Sequence, residues 1–546
     1  MIALILDGVP FEQDVRELFM AFYPGERYTH VPDENAMISF HAEPVGEPAF
    51  SCTGDTAADD AGRPAGASLP GEKGALEISP DAPEGTRCGI LKLTLSVRGA
   101  QGAGQEDGAA AEENAAAPAE GRTRTSCSAV YTDRLHTKNA LKRAVYRMLC
   151  AENARTLPWG TLTGIRPTKL ALTELRNGVP EETVKRHFRE RYFMSVEKTE
   201  LCVRTAAHEL KAIRGLDLKD GWSLYVGIPF CPTTCLYCSF TSYAVGRAGK
   251  KVDAYLDALL EELRAVAEIM KDRPPETVYM GGGTPTSLSA AQLDRVLTAL
   301  EECFDMSRVK ELTVEAGRPD SITEDKLRTL KAHGVTRISI NPQTLKQETL
   351  DLIGRRHTVE EFIEKFRLAR SLGFDNINTD LIVGLPNETA DDVRRTMEGI
   401  RGLAPDDVTI HSLALKRAAR LNTKKEDYAE VTYGNASEMV SLAAECCTAM
   451  GLSPYYLYRQ KNMAGNLENV GWCRPGREGL YNILIMEELQ TIVGCGAGTT
   501  TRVVFPDEDR YERAENVKDP ELYAARLEEM VGRKKSLLFS RYFKVQ

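Results

Sequence analysis

The 546-residue chain has no excess of positive charge: 69 Lys and Arg stand against 79 Asp and Glu, for a net charge of −10. That balance excludes the basic footprint of a nucleic-acid-binding protein, while leaving room for a local basic pocket. No apolar run approaches the ~20 residues a membrane-spanning helix needs. The N-terminus, Met1-Ile-Ala-Leu-Ile-Leu-Asp7, lacks the basic start and long apolar core of a secretory signal and reads as a buried strand. Disulfide patterning is absent too. The 13 cysteines are odd in number and scattered, which fits reduced thiols in a cytoplasmic protein. Paired Cys-x-x-Cys or Cys/His units at zinc-site spacing are also missing.

What is present is one compact trio, Cys231, Cys235 and Cys238, in Ile228-Pro-Phe-Cys-Pro-Thr-Thr-Cys-Leu-Tyr-Cys238. Iron–sulfur clusters are held by cysteine thiolates, usually four. Three at this spacing, with no nearby fourth, predict a [4Fe–4S] cluster with one iron open to a small molecule. A zinc site or three structural cysteines are the competing readings.

The rest of the chain reads as a frame around that trio. Residues 1–155 form a small α+β module. Within it, Ala/Gly/Pro/acid-rich stretches at about 42–87 and 100–124 cannot bury enough apolar surface to order themselves. Residues 156–221 read as a helical linker. From Trp222 to about 450, strands alternate with amphipathic helices. The strands are Leu224–Ile228, Thr277–Met280, Glu311–Glu315, Arg337–Ile340, Asn376–Ile382 and Val408–Leu413. Such alternation builds βαβ units and a parallel sheet. The predicted fold class is therefore α/β, a partial (β/α)6 barrel with the N-terminal module and a C-terminal cap over residues 451–546. In barrels, chemistry sits on the loops after the strand C-termini.

Several residues at those ends are candidates for ligand contact. Gly281-Gly-Gly-Thr284 ends the second strand and lets backbone approach a ligand. Glu315 ends the third, where the alternative is a solvated loop acid. Gln343 follows the fourth. Asp380, inside the apolar fifth strand, needs a partner: a ribose hydroxyl pair or a structural salt bridge. Arg355 and Arg356 are adjacent guanidiniums, either of which could pair a carboxylate. Tyr225, on the first strand, reads by itself as a packed core aromatic, and Cys495 in Gly494-Cys-Gly-Ala-Gly498 as a buried thiol.

The trio, with Tyr237 before its third cysteine, resembles the radical S-adenosylmethionine (SAM) superfamily. Tyr225-Val-Gly-Ile-Pro-Phe-Cys231, Gly281-Gly-Gly-Thr-Pro285, Thr313-Val-Glu315, Arg337-Ile-Ser-Ile-Asn-Pro-Gln343 and Asp380-Leu-Ile-Val-Gly-Leu-Pro386 follow in the order seen in the oxygen-independent coproporphyrinogen III oxidase family. Trp159-Gly-Thr-Leu-Thr-Gly-Ile-Arg-Pro167 and Tyr455-Tyr-Leu-Tyr-Arg459 are similar to its HemZ-type coproporphyrinogen dehydrogenase branch. The resemblance implies that Cys231, Cys235 and Cys238 hold the cluster. It implies SAM contacts at Tyr225, Gly282, Gly283, Thr284, Glu315, Gln343, Arg356 and Asp380, with Ala414 and Thr500 as further ones.

The implied reaction is oxidative decarboxylation of two propionates of coproporphyrinogen III to vinyl groups, giving protoporphyrinogen IX in haem biosynthesis. An electron donor such as flavodoxin or ferredoxin would serve it. Lys416, Arg417, Arg459 and Lys461, with Tyr455, Tyr456 and Tyr458, are candidates for holding a flat tetracarboxylate. Gly227 stands where the family's oxidases usually carry a histidine. That departure keeps a second reading in view, a haem chaperone of the same family. A radical SAM reaction on another tetrapyrrole is a third.

Overall fold

The computed structural model describes residues 1–24, 26–33, 36–51, 76–82, 87–98, 122–238, 242–248, 251–413, 436–459, 467–508 and 510–543. Ala414, Lys416, Arg417 and Lys461, together with most of both Ala/Gly-rich stretches, lie outside them.

The chain divides into two compact units: Met1–Gly164 with Pro180–Leu201, and Ile165–Val179 with Cys202–Gln546. The helices of the expected linker are thus shared between them. In the first unit, a six-stranded sheet includes Ile2–Leu6, Ile38–Ser51, Arg87–Val97 and Arg122–Val130. Helices Glu12–Phe22 and Arg134–Asn153 cover it. Val15, Leu18, Phe19 and Phe22 recur at helical spacing and pack with Phe40, Leu93 and Leu149 into one core. The strand from Ile38 runs on to Ser51, into the stretch expected to be unordered. It persists there because it pairs antiparallel with Arg87–Val97.

The second unit is built on an eleven-stranded sheet. Six parallel strands form its centre in chain order: Trp222–Ile228, Thr277–Gly282, Glu311–Glu315, Arg337–Ser339, Ile377–Val383 and Asp407–Ser412. All six are predicted by the sequence to within a few residues. Most of their residues are buried, and in the third to sixth strands polar residues such as Thr313, Arg337, Asn378 and Thr409 alternate with apolar ones. Crossover helices begin at capping boxes. Ser289 with Gln292, Thr358 with Glu361 and Thr389 with Asp392 each bond reciprocally and satisfy two orphan amides.

The region expected as a cap is woven into this sheet at both edges. Ser453–Arg459 and Glu468–Cys473 extend it antiparallel beyond the sixth strand. Thr491–Cys495 pairs parallel with the first. Between them, helix Leu480–Glu487 enters the barrel, where its first amide donates to Glu311 Oε2 at 2.5 Å. Tyr481 stacks on Tyr279 with centroids 4.5 Å apart. The C-terminal helix Leu527–Tyr542 is fastened by the buried carboxylate of Glu262. That group pairs with Lys534 and accepts from Tyr523 Oη at 2.6 Å, Asn516 Nδ2 at 3.0 Å and the Gly496 amide at 2.6 Å.

Candidate active site

At the C-terminal ends of the six strands lies a cavity of about 410 Å³, within the ~300–1,000 Å³ typical of small-molecule sites. Its wall contains Cys231, Cys235 and Cys238 as well as Gly282, Gly283, Thr284, Glu315, Gln343 and Asp380. Residues far apart in the chain are brought to one place because most sit at or just past a strand end, and Asp380 lies within the fifth strand.

The cysteine loop leaves the first strand through a short extended pair, Phe230–Cys231 with Tyr243–Ala244. Gly283 presses against it. The Gly283 amide donates to Ile228 O at 2.8 Å, and the Thr284 amide donates to Phe230 O at 2.7 Å. A Cβ on Gly283 would lie 2.5 Å from Phe230 O. The glycines therefore let the second strand reach the cysteine loop, and Gly282 needs its φ of +110° to do so. Thr284 Oγ1 is 3.5 Å from Cys231 Sγ. Arg318 Nη1 donates to Cys235 Sγ at 3.5 Å and to Thr233 O at 3.0 Å, with its far edge clamped on both oxygens of Asp320.

An all-sulfur donor set suits either an iron–sulfur cluster or a closed zinc shell, and the separation of the sulfurs distinguishes them. Among the described residues, the three sulfurs are not gathered within 4.8 Å of one another. Tetrahedral zinc, with Zn–S near 2.3 Å, would draw its ligands closer than ~4 Å, whereas a cluster spreads its thiolates over separate irons.

The two acids sit in contrasting environments. Burial pushes Glu315 up to about 7, although Tyr279 Oη donates to its Oε1 at 2.6 Å. Burial also acts against ionised Asp380, but the polar side chains around it, His411, Asn378 and Thr409, win and hold it below the usual range. Asn341 Nδ2 and Asn378 Nδ2 donate to its two oxygens at 2.7 and 2.8 Å. His411 Nε2 lies 3.8 Å away. Gln343 adopts φ +74°, uncommon for a side-chain-bearing residue. Its backbone bridges to the fifth strand, accepting from Ile382 N at 2.9 Å and donating to Asp380 O at 3.2 Å.

The structure corrects four expectations. Arg355, not Arg356, lines the cavity: Arg355 is 6% exposed and Arg356 faces solvent. Arg355 Nη2 donates to Tyr237 Oη at 3.0 Å, while its buried Nε has no hydrogen-bond partner. The turn at Gly354, with φ +78°, sets which of the two guanidiniums points inward. Tyr225 is not on the cavity wall; it is half-buried and packs its ring on Tyr279, which is, and on Tyr481. Arg459 is 3% exposed and off the cavity wall, so it is no surface cation. Thr500 is exposed and off the wall as well.

Gly227 is a packing requirement. A Cβ there would meet Thr499 Cγ2 at 2.5 Å, because the glycine-rich turn fills the space a larger side chain would take. Tyr456 and Tyr458 are on the wall, while Tyr455 is buried below it, its hydroxyl donating to Asp407 Oδ2 at 2.6 Å.

Residues that sequence reasoning missed include Arg318, Arg337, Asn341, Asn378 and His411. Strand alternation offered a signal for the last: Thr409 and His411 are two apart on the sixth strand and share a face. Arg337 and Asp407 form a buried pair at 2.5 Å, 1% and 0% exposed, at the deep end of the cavity.

The chain matches the Radical SAM superfamily over residues 225–400. It is 42% identical over 402 residues to the oxygen-independent coproporphyrinogen-III oxidase-like protein HemZ of Bacillus subtilis (strain 168), covering 73% of this chain and 80% of that one. It is 33% identical over 278 residues to the heme chaperone HemW of Lactococcus lactis subsp. lactis (strain IL1403), covering 51% of this chain and 69% of that one. Coproporphyrinogen III oxidase (HemN) from Escherichia coli, described as a radical SAM enzyme, aligns in structure with a TM-score of 0.49 at 24% identity, over 60% of this chain and 77% of that one.

Proposed function

This chain belongs to the oxygen-independent coproporphyrinogen-III oxidase-like family of radical SAM proteins, and from that premise we propose that it converts coproporphyrinogen III to protoporphyrinogen IX. The family's cofactors are a [4Fe–4S] cluster and SAM. Bound together, they supply a radical that removes a hydrogen atom from an unactivated carbon. Here that carbon is the β-carbon of a propionate. The Cα–carboxyl bond then breaks, carbon dioxide leaves, one electron passes to an acceptor and a vinyl group remains. Two propionates react in turn. A cytoplasmic site and a small electron carrier such as flavodoxin or ferredoxin complete the proposal.

The observation that carries this reading is the convergence of the three cysteines, Glu315, Asp380 and Arg355 on one cavity. Cys231, Cys235 and Cys238 hold the cluster. Arg355, whose side chain lines the cavity, takes the SAM carboxylate. The backbone of Gly282, Gly283 and Thr284 faces the methionine part, and Glu315 accepts from its ammonium. Asp380, kept ionised, accepts from ribose hydroxyls, with Gln343 beside it. Tyr456, Tyr458 and Met486 give the opposite wall an apolar face that excludes water.

The heme chaperone reading has its own support in the HemW relative. The cavity's three described guanidiniums are also already engaged: Arg318 with Asp320, Arg337 with Asp407, and Arg355 with Tyr237. One anaerobic experiment separates the two. The cluster is reconstituted and SAM, a reductant and coproporphyrinogen III are added, with tetrapyrroles and 5′-deoxyadenosine followed by chromatography. Protoporphyrinogen formed with matching 5′-deoxyadenosine is the expected result. Stoichiometric haem binding with no vinyl product would overturn it in favour of the chaperone.

A further inference from the structure

Outside the cavity, His208, Cys473 and Glu478 place one nitrogen, one sulfur and one oxygen within 4.8 Å of one another. They come from three separate places: helix Val196–Ala212, the end of strand Glu468–Cys473 and the loop before Leu480. Cys473 is fully buried, and His208 and Glu478 are 16% and 14% exposed at their side chains.

The hydrogen bonds of His208 say which atom is offered. Its Nδ1 lies 3.0 Å from the carbonyl oxygen of Pro454, which can only accept, so Nδ1 carries the hydrogen. A histidine whose far nitrogen is fixed on a backbone carbonyl is the usual support of a metal-bound imidazole. Nε2 then faces Glu478 Oε1 at 2.8 Å. A lone pair cannot face a carboxylate lone pair without a positive charge between them. A second proton on the ring would provide one, and so would a metal ion.

The sulfur favours the ion, since a His–Glu pair has no need of a third donor. A second observation points the same way. Asp407 pairs directly across the sheet from Cys473. It is fully buried, and its Oδ1 has no hydrogen-bond partner. Opposed residues in an antiparallel pair have Cβ atoms about 5 Å apart, so an unsatisfied carboxylate sits on the residue facing Cys473, outside the 4.8 Å group that the trio forms.

We propose that His208 Nε2, Cys473 Sγ and Glu478 form a metal site, separate from the cysteine trio of the cavity, that takes zinc. Nitrogen, thiolate and carboxylate together are zinc's usual ligands. Binding replaces the thiol hydrogen with a metal–sulfur bond and releases one proton to solvent. The ion ties helix Val196–Ala212 to the edge strands that carry Tyr456 and Tyr458.

The test uses full-length protein with its cluster already reconstituted, so that the cavity cysteines are occupied. After incubation with zinc and desalting, zinc and iron are measured per chain. One zinc is expected in the unaltered protein. Cys473→Ser and Glu478→Gln should each hold less than a tenth as much while retaining full iron. Cobalt in place of zinc should give a thiolate-to-cobalt absorption that Cys473→Ser abolishes and Glu478→Gln weakens. No retained zinc in the unaltered protein, or zinc unchanged in both variants, overturns the proposal. Zinc retained only when Cys231, Cys235 and Cys238 are free of iron assigns the metal to the cavity and also overturns it.

Discussion

Replacing Gly283 with alanine should damage the cysteine loop from the neighbouring strand. The added Cβ would lie 2.5 Å from Phe230 O, 2.9 Å from Phe230 C and 3.0 Å from Ile228 O. All three are backbone atoms, so no side chain can swing away and the chain itself must move. Overpacking of this kind costs about 1–3 kcal/mol. The two hydrogen bonds joining the strand to the loop are at risk as well, at about 0.5–1.5 kcal/mol each. The total is about 2–6 kcal/mol, and the displaced carbonyl immediately precedes Cys231. The assay is iron and sulfide per chain after anaerobic reconstitution, beside a thermal melt of the unloaded protein. Gly283→Ala should melt several degrees lower and load substantially less iron. Gly402→Ala is the matched control: that glycine is inside helix Ala390–Leu403 with nothing within 4 Å of the added methyl. It should be neutral or stabilising by up to about 1 kcal/mol. Full iron and an unchanged melt for Gly283→Ala would refute the close-approach argument.

Arg355→Met should weaken SAM binding by about 10- to 100-fold, the loss of a charged hydrogen bond at about 1.5–3 kcal/mol, while Arg356→Ala leaves it unchanged; calorimetry with cluster-loaded protein would expose the reverse. Arg337→Met leaves Asp407 buried without its counter-charge and should cost about 3–5 kcal/mol at neutral pH. That deficit should shrink on acidification as Asp407, already raised to about 6 by burial, takes up a proton, and a pH-independent deficit would show that charge is not the cause. Glu388 is buried, accepts from Thr344 Oγ1 at 2.6 Å, and is raised by burial from its ordinary 4.5 to about 7. The native state therefore binds this proton more tightly than the unfolded chain, so the group's contribution is intact below about pH 4.5 and is lost as pH rises through about 7. The loss is at most about 3 kcal/mol. Glu388→Gln should be more stable than the parent at about pH 8 with the gain fading towards about pH 5, and parallel stability curves in denaturant titrations would contradict this.

The cysteine trio, the six parallel strands and the set of strand-end residues were legible in the chain itself. Spacing fixes which thiols can share a cluster, and alternation of strand with helix fixes where loops gather. Local chemistry is written locally: Gly281-Gly-Gly-Thr284 announces a close approach, and Asp380 in an apolar strand announces a need for partners. What the sequence could not supply were distances between segments. Asn341, Asn378 and His411 become the partners of Asp380 only because the fourth, fifth and sixth strands are neighbours in register. Arg355 turns inward and Arg356 outward by a difference of one position in a turn, which no pattern of two adjacent arginines can encode. Gly227 looked like the loss of a polar group and is a space already filled by Thr499, from far later in the chain. Composition and period determine which elements form and which faces they bury. Which buried charge meets which partner is decided by tertiary packing, because a few ångströms separate a paired group from a costly one.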